Sequence, residues 1–182
     1  ASALQPEDAR LGKSSFQMAV LAIQDREFED AADYLDAALI SFDQDGRMNS
    51  AERSARELMV DVLSRTRRHD DATPHAQALG EFDAGPSTPL FRIPSGLDRD
   101  QLRKVIGKSI EIGFTVDANG FVIDPQIVDS TADSVNDKAL AAITKFRYAP
   151  GFVDGKPVAT TNVRYTFDFS RDEMRKRMSD RR

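Results

Sequence analysis

Ser109-Ile110-Glu111-Ile112-Gly113-Phe114-Thr115-Val116-Asp117-Ala118-Asn119-Gly120-Phe121-Val122-Ile123-Asp124-Pro125-Gln126-Ile127-Val128 decides the fold of the C-terminal half. Ile110, Ile112, Phe114 and Val116 alternate with Ser109, Glu111, Gly113 and Thr115, the period-two pattern of a strand with one buried face. Asp117-Ala118-Asn119-Gly120 is turn chemistry, with Asn-Gly supplying the positive-φ residues of a tight hairpin. The chain then returns as a strand from Phe121 to about Val128. Pro125 inside that strand lacks a backbone donor, so the strand belongs on the outside of its sheet.

Further along, Ser134 and Asp137 predict the cap of a helix with Val135, Ala139, Leu140, Ile143 and Phe146 on one face, ended by Ala149-Pro150-Gly151. After a turn at Asp154-Gly155, a last strand places Val163, Tyr165, Phe167 and Phe169 on one face and Arg164, Thr166 and Asp168 on the other. The expected result is a three-stranded antiparallel sheet covered on one face by the helix. The outer position of the Pro125 strand puts the first strand in the middle and the last strand on the far edge.

A longer run carries a family resemblance: Ala139-Leu140-x-Ala142-Ile143-x-x-Phe146-Arg147-Tyr148-x-Pro150-Gly151-x-x-x-Gly155-Lys156-Pro157-Val158, followed by alternating apolar residues. It resembles the C-terminal domain of TonB, whose helix ends in an aromatic-Arg-aromatic-x-Pro turn before Gly-x-Pro-Val and the final strand. The hairpin Phe114-Thr115-Val116-Asp117-x-x-Gly120-x-Val122 matches the same family. Phe146 stands where the family usually has tryptophan, and Phe91-Arg92-Ile93-Pro94 only loosely echoes its lead-in.

The resemblance implies a protein-binding module of the Gram-negative periplasm, not an enzyme. In that family an inner-membrane motor of ExbB and ExbD type drives TonB, which pulls on outer-membrane receptors and receives an extended receptor segment along its last strand. Here that strand is Thr160, Thr161, Asn162, Val163, Arg164, Tyr165, Thr166 and Phe167. An edge strand exposes unpaired N–H and C=O groups that template an added strand, unless its own charges or a covering segment blunt it. Phe146, Arg147 and Tyr148 have a simpler structural role, closing the helix onto the sheet, and share one structural motif with Pro150, Gly155 and Pro157. Two functions stay open: energy transduction from the inner membrane to a receptor, or an anchorless scaffold that holds partner proteins.

Upstream of the hairpin, Asp98 with Gln101 forms a capping-box pattern opening a short helix through Leu102, Val105 and Ile106 that Gly107 closes. Residues 81–94 contain Pro86, Pro89, Pro94 and Gly85 and read as a connector. The expected division is a helical domain at 1–85, a linker at 86–94, the sheet domain at 95–170 and a basic tail at 171–182.

The first half is helical by period. Gln5-Pro6 opens a helix with Phe16, Ala19, Val20 and Ile23 at helical spacing. Asp25 is the expected cap of a second, whose Phe28, Ala31, Ala32, Leu35, Ala38, Leu39 and Phe42 form one face opposite Glu29, Asp30, Asp33 and Asp36, and Asp45-Gly46 ends it. Asn49-Ser50 caps a third helix, with Ala55, Leu58, Met59, Val62 and Leu63 inward. Thr73-Pro74 opens a fourth, with Ala76, Leu79 and Phe82 inward. Ala31, Leu35 and Ala38 resemble the packing positions of a tetratricopeptide helix pair, and Asp70-Asp71-Ala72 echoes Glu29-Asp30-Ala31 at an offset of 41 residues. A plain four-helix domain fits the same pattern.

The 182 residues carry a net charge of −5. Residues 1–90 hold 9 basic and 17 acidic side chains, against 16 and 13 in residues 91–182. That polarity argues against nucleic acid as the first half's partner, since phosphates would be repelled, and favours a basic or amphipathic protein segment. Cysteine is absent, which removes disulfides, thiolate metal sites and a cysteine nucleophile. His69 and His75, the two histidines, do not share a helical face and read as parts of a polar turn. No glycine-rich phosphate loop, Ser-His-Asp set or paired carboxylate site emerges, so no catalytic residue, metal or cofactor is assigned. Ala1-Ser2-Ala3 has the pattern of a signal-peptidase boundary, an expectation of export that three small residues do not decide.

Overall fold

The computed structural model describes residues 6–42, 48–83, 85 and 88–170. The expected helix end at Asp45-Gly46 and the tail from Arg171 to Arg182 lie outside them. Four helices come first: α1 (Pro6–Asp25), α2 (Phe28–Phe42), α3 (Ser50–Arg65) and α4 (His69–Asp83). Asn49 caps α3 as expected, its side chain accepting hydrogen bonds from the Ala51 and Glu52 amides.

Two hairpins, α1–α2 and α3–α4, turn in the same way 41 residues apart. Arg26 and Arg67 each take a left-handed φ, 64° and 62°. The Glu27 amide donates to Ala22 O at 2.8 Å and the Arg26 amide to Ile23 O at 3.2 Å. At the second turn the Arg68 amide donates to Leu63 O at 2.8 Å and the Arg67 amide to Ser64 O at 3.3 Å. This is one Schellman closure used twice.

The turn corrects two expected caps. Asp25 is the last residue of α1, and the Glu27 carbonyl instead receives the Ala31 amide at 2.9 Å. Thr73-Pro74 does not open α4, which begins at His69 because the Schellman turn already sets the chain's direction. Pro74 lies inside the helix, where its missing N–H leaves only the carbonyl of exposed Asp70 without a helical donor.

Beyond the connector, α5 (Arg99–Val105) carries the full capping box between Asp98 and Gln101. The sheet consists of β1 (Ser109–Val116), β2 (Val122–Ser130) and β5 (Thr160–Asp168) in the order β2-β1-β5, antiparallel throughout. Burial alternates along β1 without a break, and Pro125 sits in the outer strand β2. Of the hairpin residues only Gly120 takes positive φ; Asp117 Oδ1 instead accepts from the Asn119 and Phe121 amides and holds the turn. The helix α6 (Asn136–Ile143) is led in by a short 3-10 turn at Asp133–Val135, and Ser134 makes no capping bond. A small hairpin precedes the last strand, β3 (Gly151–Val153) and β4 (Lys156–Val158), turned by Asp154 and Gly155 at φ of 51° and 72°.

The sheet half packs on α4 much as a further helical hairpin would. In α2, buried Ala31, Leu35 and Ala38 share one core with Ala55, Met59 and Val62 of α3. The corresponding positions of α4 are Ala72, Ala76 and Leu79, and a small core joins Val60, Ala76 and Leu79 to Ala149. Gly80 lies so close to Pro150 that a Cβ there would collide with the Pro150 carbonyl oxygen. Gly80→Ala is therefore expected to cost about 1–3 kcal/mol in urea unfolding. The helix-favouring effect of alanine alone would stabilise by up to ~1 kcal/mol, so a more stable variant would show that this contact is loose.

Candidate functional site

Strand β5 is an edge, paired with β1 on one side only. Its register runs unbroken from Val163 opposite Phe114 to Asp168 opposite Ser109. A one-residue bulge follows toward its start, where Asn162 takes φ of 58° and Thr160 comes opposite Val116. Of the sequence-assigned edge, Val163, Arg164, Tyr165, Thr166 and Phe167 therefore form a regular ladder, whereas Thr160, Thr161 and Asn162 sit at the bulge.

The pairing also settles which backbone groups point outward. Just past the strand the Phe169 amide donates to Lys108 O at 3.0 Å, one residue beyond the Ser109–Asp168 pair. Alternation then turns Phe167, Tyr165 and Val163 toward β1 and leaves the N–H and C=O of Thr166 and Arg164 facing away from it. On the other side of β1 the Thr131 amide donates to Ser109 O at 3.0 Å, as the same alternation requires.

The side chains follow the expected division. Phe146 meets Tyr165 at 5.1 Å and Phe167 at 5.9 Å between ring centroids, seating the end of the α6 segment on β5. Tyr148 packs on Phe114 at 5.4 Å, and burial, with Tyr165 nearby, pushes its hydroxyl above the ordinary tyrosine range. Exposed Arg164 reaches Glu111 on β1 at 2.8 Å, a surface pair worth about 0–1 kcal/mol and so a weak guard for the edge.

Arg147 does something the sequence did not indicate. Its backbone forms bridges to both Phe91 and Phe121, its amide donating to Phe91 O at 3.0 Å while its carbonyl accepts the Leu90 amide at 2.7 Å. The connector thus ends in a built contact, foreshadowed only by apolar Leu90, Phe91 and Ile93 among its prolines. The Arg147 side chain, 1% exposed, points into the junction between α4 and the β1–β2 turn. Nη2 donates to Thr73 Oγ1 at 3.1 Å and to Asn119 O at 2.9 Å, and the guanidinium lies 3.8 Å from the centroid of the Phe121 ring. Burial lowers its pKa, partly offset by the carboxylates of Asp117 and Asp70. Nε and Nη1 have no hydrogen-bond partner among the described residues. The close approach of Gly80, a lone glycine in a helical pattern, was the other available sequence signal.

His69 packs edge-on to Phe121 at 6.2 Å. His75 lies 3.4 Å from Arg56, which itself pairs with Glu52. The two histidines do not converge.

Residues 103–170 match a family model described as Gram-negative bacterial TonB protein C-terminal. The sheet half is thus similar to the TonB C-terminal domain. Its family is one of non-catalytic protein-interaction domains, and the match runs from within α5 through β5 to Ser170. No curated protein matches the chain. The TonB domain is preceded by four helices, and the whole is α+β. Among the described residues no helix is long and apolar enough to cross a membrane.

Two outcomes follow from the buried charges. Arg147→Ala is expected to cost about 2–4 kcal/mol through the cavity and the lost contact with Phe121. Arg147→Met fills the volume without the unpaired donors and is expected within about 1.5 kcal/mol of the parent; equal losses in the two variants would show that the charge itself is required. His75 is lowered from 6.5 to about 4 by burial and then by Arg56. Between those values the unfolded chain takes up a proton that the folded chain refuses. Stability is then complete above pH ~6.5 and falls by up to about 3 kcal/mol as the pH drops toward 4. His75→Gln is expected to flatten this slope in chemical unfolding between pH 4 and 7; an unchanged slope would assign it to other groups.

Proposed function

We propose that this chain is a periplasmic protein-interaction module that captures an extended partner segment along β5, coupling a receptor of the outer membrane to an inner-membrane motor of ExbB and ExbD type. The observation that carries the reading is an edge strand, on a TonB C-terminal domain, whose Arg164 and Thr166 backbone groups face away from β1. A partner strand would gain its affinity from backbone hydrogen bonds and its specificity from the side chains it lays beside Arg164, Thr166 and Asp168. Thr160, Thr161 and Asn162, at the bulge, would mark where the added strand leaves the edge.

The scaffold alternative is favoured by the packing of the helices on the sheet half through Arg147, which presents two separate surfaces from one body. On that reading the acidic outer face of α2 holds a basic segment. There burial, then Asp33, pushes Asp36 above the ordinary carboxylate range. The interaction should then weaken with salt, since exposed charges are screened over ~8 Å at physiological ionic strength.

Proline substitution separates the edge mechanism from its alternatives. Arg164→Pro and Thr166→Pro each remove an outward donor and should leave circular dichroism and melting near the parent. Both should weaken binding of an extended receptor-derived peptide by roughly two- to tenfold per lost bond. Tyr165→Pro removes a donor to β1 and should unfold the sheet, whereas Thr166→Ala should bind normally. Folded proline variants that bind with parental affinity would refute pairing along β5.

A further inference from the structure

The two edges of the sheet are guarded unequally. Edge strand β2 contains Pro125, holds Asp124 at a left-handed φ of 50°, and shifts register twice against β1. Its charged residues, Asp124 and Asp129, are both acidic, so two copies of β2 would repel each other. Strand β5 has none of these guards from Val163 to Asp168. No strand among the described residues pairs with its outward side.

The charges of β5 are also arranged differently. In Arg164-Tyr165-Thr166-Phe167-Asp168 a base and an acid stand at equal distances on either side of Thr166. Arg164 and Thr166 turn their backbone groups away from β1, and the same alternation turns those of Asp168 outward. All three side chains are exposed. Arg164 engages Glu111 through Nη1, and Asp168 takes the Ser170 amide on Oδ1. Neither contact closes the outward side of the strand.

We infer that β5 pairs antiparallel with β5 of a second copy of this chain, about a two-fold axis through Thr166, joining the two sheets into one. Thr166 then faces Thr166, and Arg164 of each copy faces Asp168 of the other. These are the hydrogen-bonded positions of the ladder, where opposite residues exchange both backbone bonds. Tyr165 of each copy lies beside Phe167 of the other, an aromatic cross-strand pair. The same register sets Val163 against Phe169, so no like charges meet from Val163 to Phe169.

The pattern of the strand selects this occupant. An antiparallel complement to β5 carries, in chain order, a base, an apolar residue, a neutral one, an apolar residue and an acid. Residues 164–168 read in that order themselves, and a two-fold contact requires such a self-matching surface. Pairing between copies would occupy the Arg164 and Thr166 donors and so compete with a captured partner segment. That competition rests on the capture proposed above, whereas the pairing of two copies does not.

Sedimentation velocity of the full chain over a dilution series tests the pairing. The mass is expected to rise from 20.2 kDa toward twice that value with concentration. Arg164→Asp and Asp168→Arg each set like charges opposite one another at both ends of the paired strands. Both variants should keep a melting curve close to the parent's and associate about tenfold more weakly or worse. An equimolar mixture of the two should associate as the parent does, because each then meets the opposite sign in the other. The double variant should do the same by itself. A monomer at every concentration would overturn the inference and leave partner capture to its own proline test. A dimer indifferent to both reversals, or a mixture no stronger than either variant alone, would equally overturn pairing through β5.

Discussion

A guanidinium taken out of water needs its surroundings to replace the lost hydration, and Arg147 obtains that replacement from both halves of the chain. Thr73 of α4 and the Asn119 carbonyl each accept from Nη2, while the face of Phe121 supports the cation from below. None of the three would be in reach unless α4, the β1–β2 turn and the segment after α6 met at one point. Gly120 permits that meeting, since a Cβ there would collide with the Tyr148 carbonyl, and Gly80 permits it on the helical side. Two donors of the same guanidinium stay unpaired among the described residues, so the contact fixes an orientation more than it adds stability.

That orientation bears on the binding proposed for β5. Phe146 and Tyr148 flank Arg147 and both face the sheet core, so the three residues hold α6, β5 and the helical stack in one frame. The edge of β5 is thereby presented on the side away from β1 with its ladder regular from Val163 to Asp168. A pliant edge would lose part of each backbone hydrogen bond to the ordering of the strand, and a strand already fixed by a packed aromatic face avoids that loss. The bulge at Asn162 interrupts the ladder, and bulges are one way natural sheets restrain exposed edges.

The repeat carries a second lesson about what a helix face means. Met18 and Met59 occupy equivalent positions with the same side chain, yet one is open to solvent and the other is buried. Amphipathic pattern alone cannot tell these apart, because it records which faces are apolar and not what covers them. The same blindness explains why Thr73 read as a helix cap: its residue type suits either a cap or an acceptor for a buried charge. Only the arrival of Arg147 from the other half distinguishes the two.

The sequence by itself determined the local elements and their order. Period-two alternation in β1, the proline that makes β2 an outer strand, the capping box of α5, the Asn49 cap of α3 and the helical stripes all act within a few residues, and the motif order around Phe146 to Val158 pointed to the family that the sheet half resembles. Caps and turns with several solutions were less legible: Asp25, Ser134 and Asn119 are plausible in roles that the chain fills by Schellman closures, a 3-10 turn and an Asx bond. The tertiary structure decided what depends on groups far apart in the chain: the inward aim of Arg147, the register that turns Thr166 and Arg164 outward, and the burial of Met59 where its equivalent Met18 is exposed. The physical reason is range, since propensity and periodicity are settled between neighbours, whereas burial of a charge or a face depends on which distant surface comes to meet it.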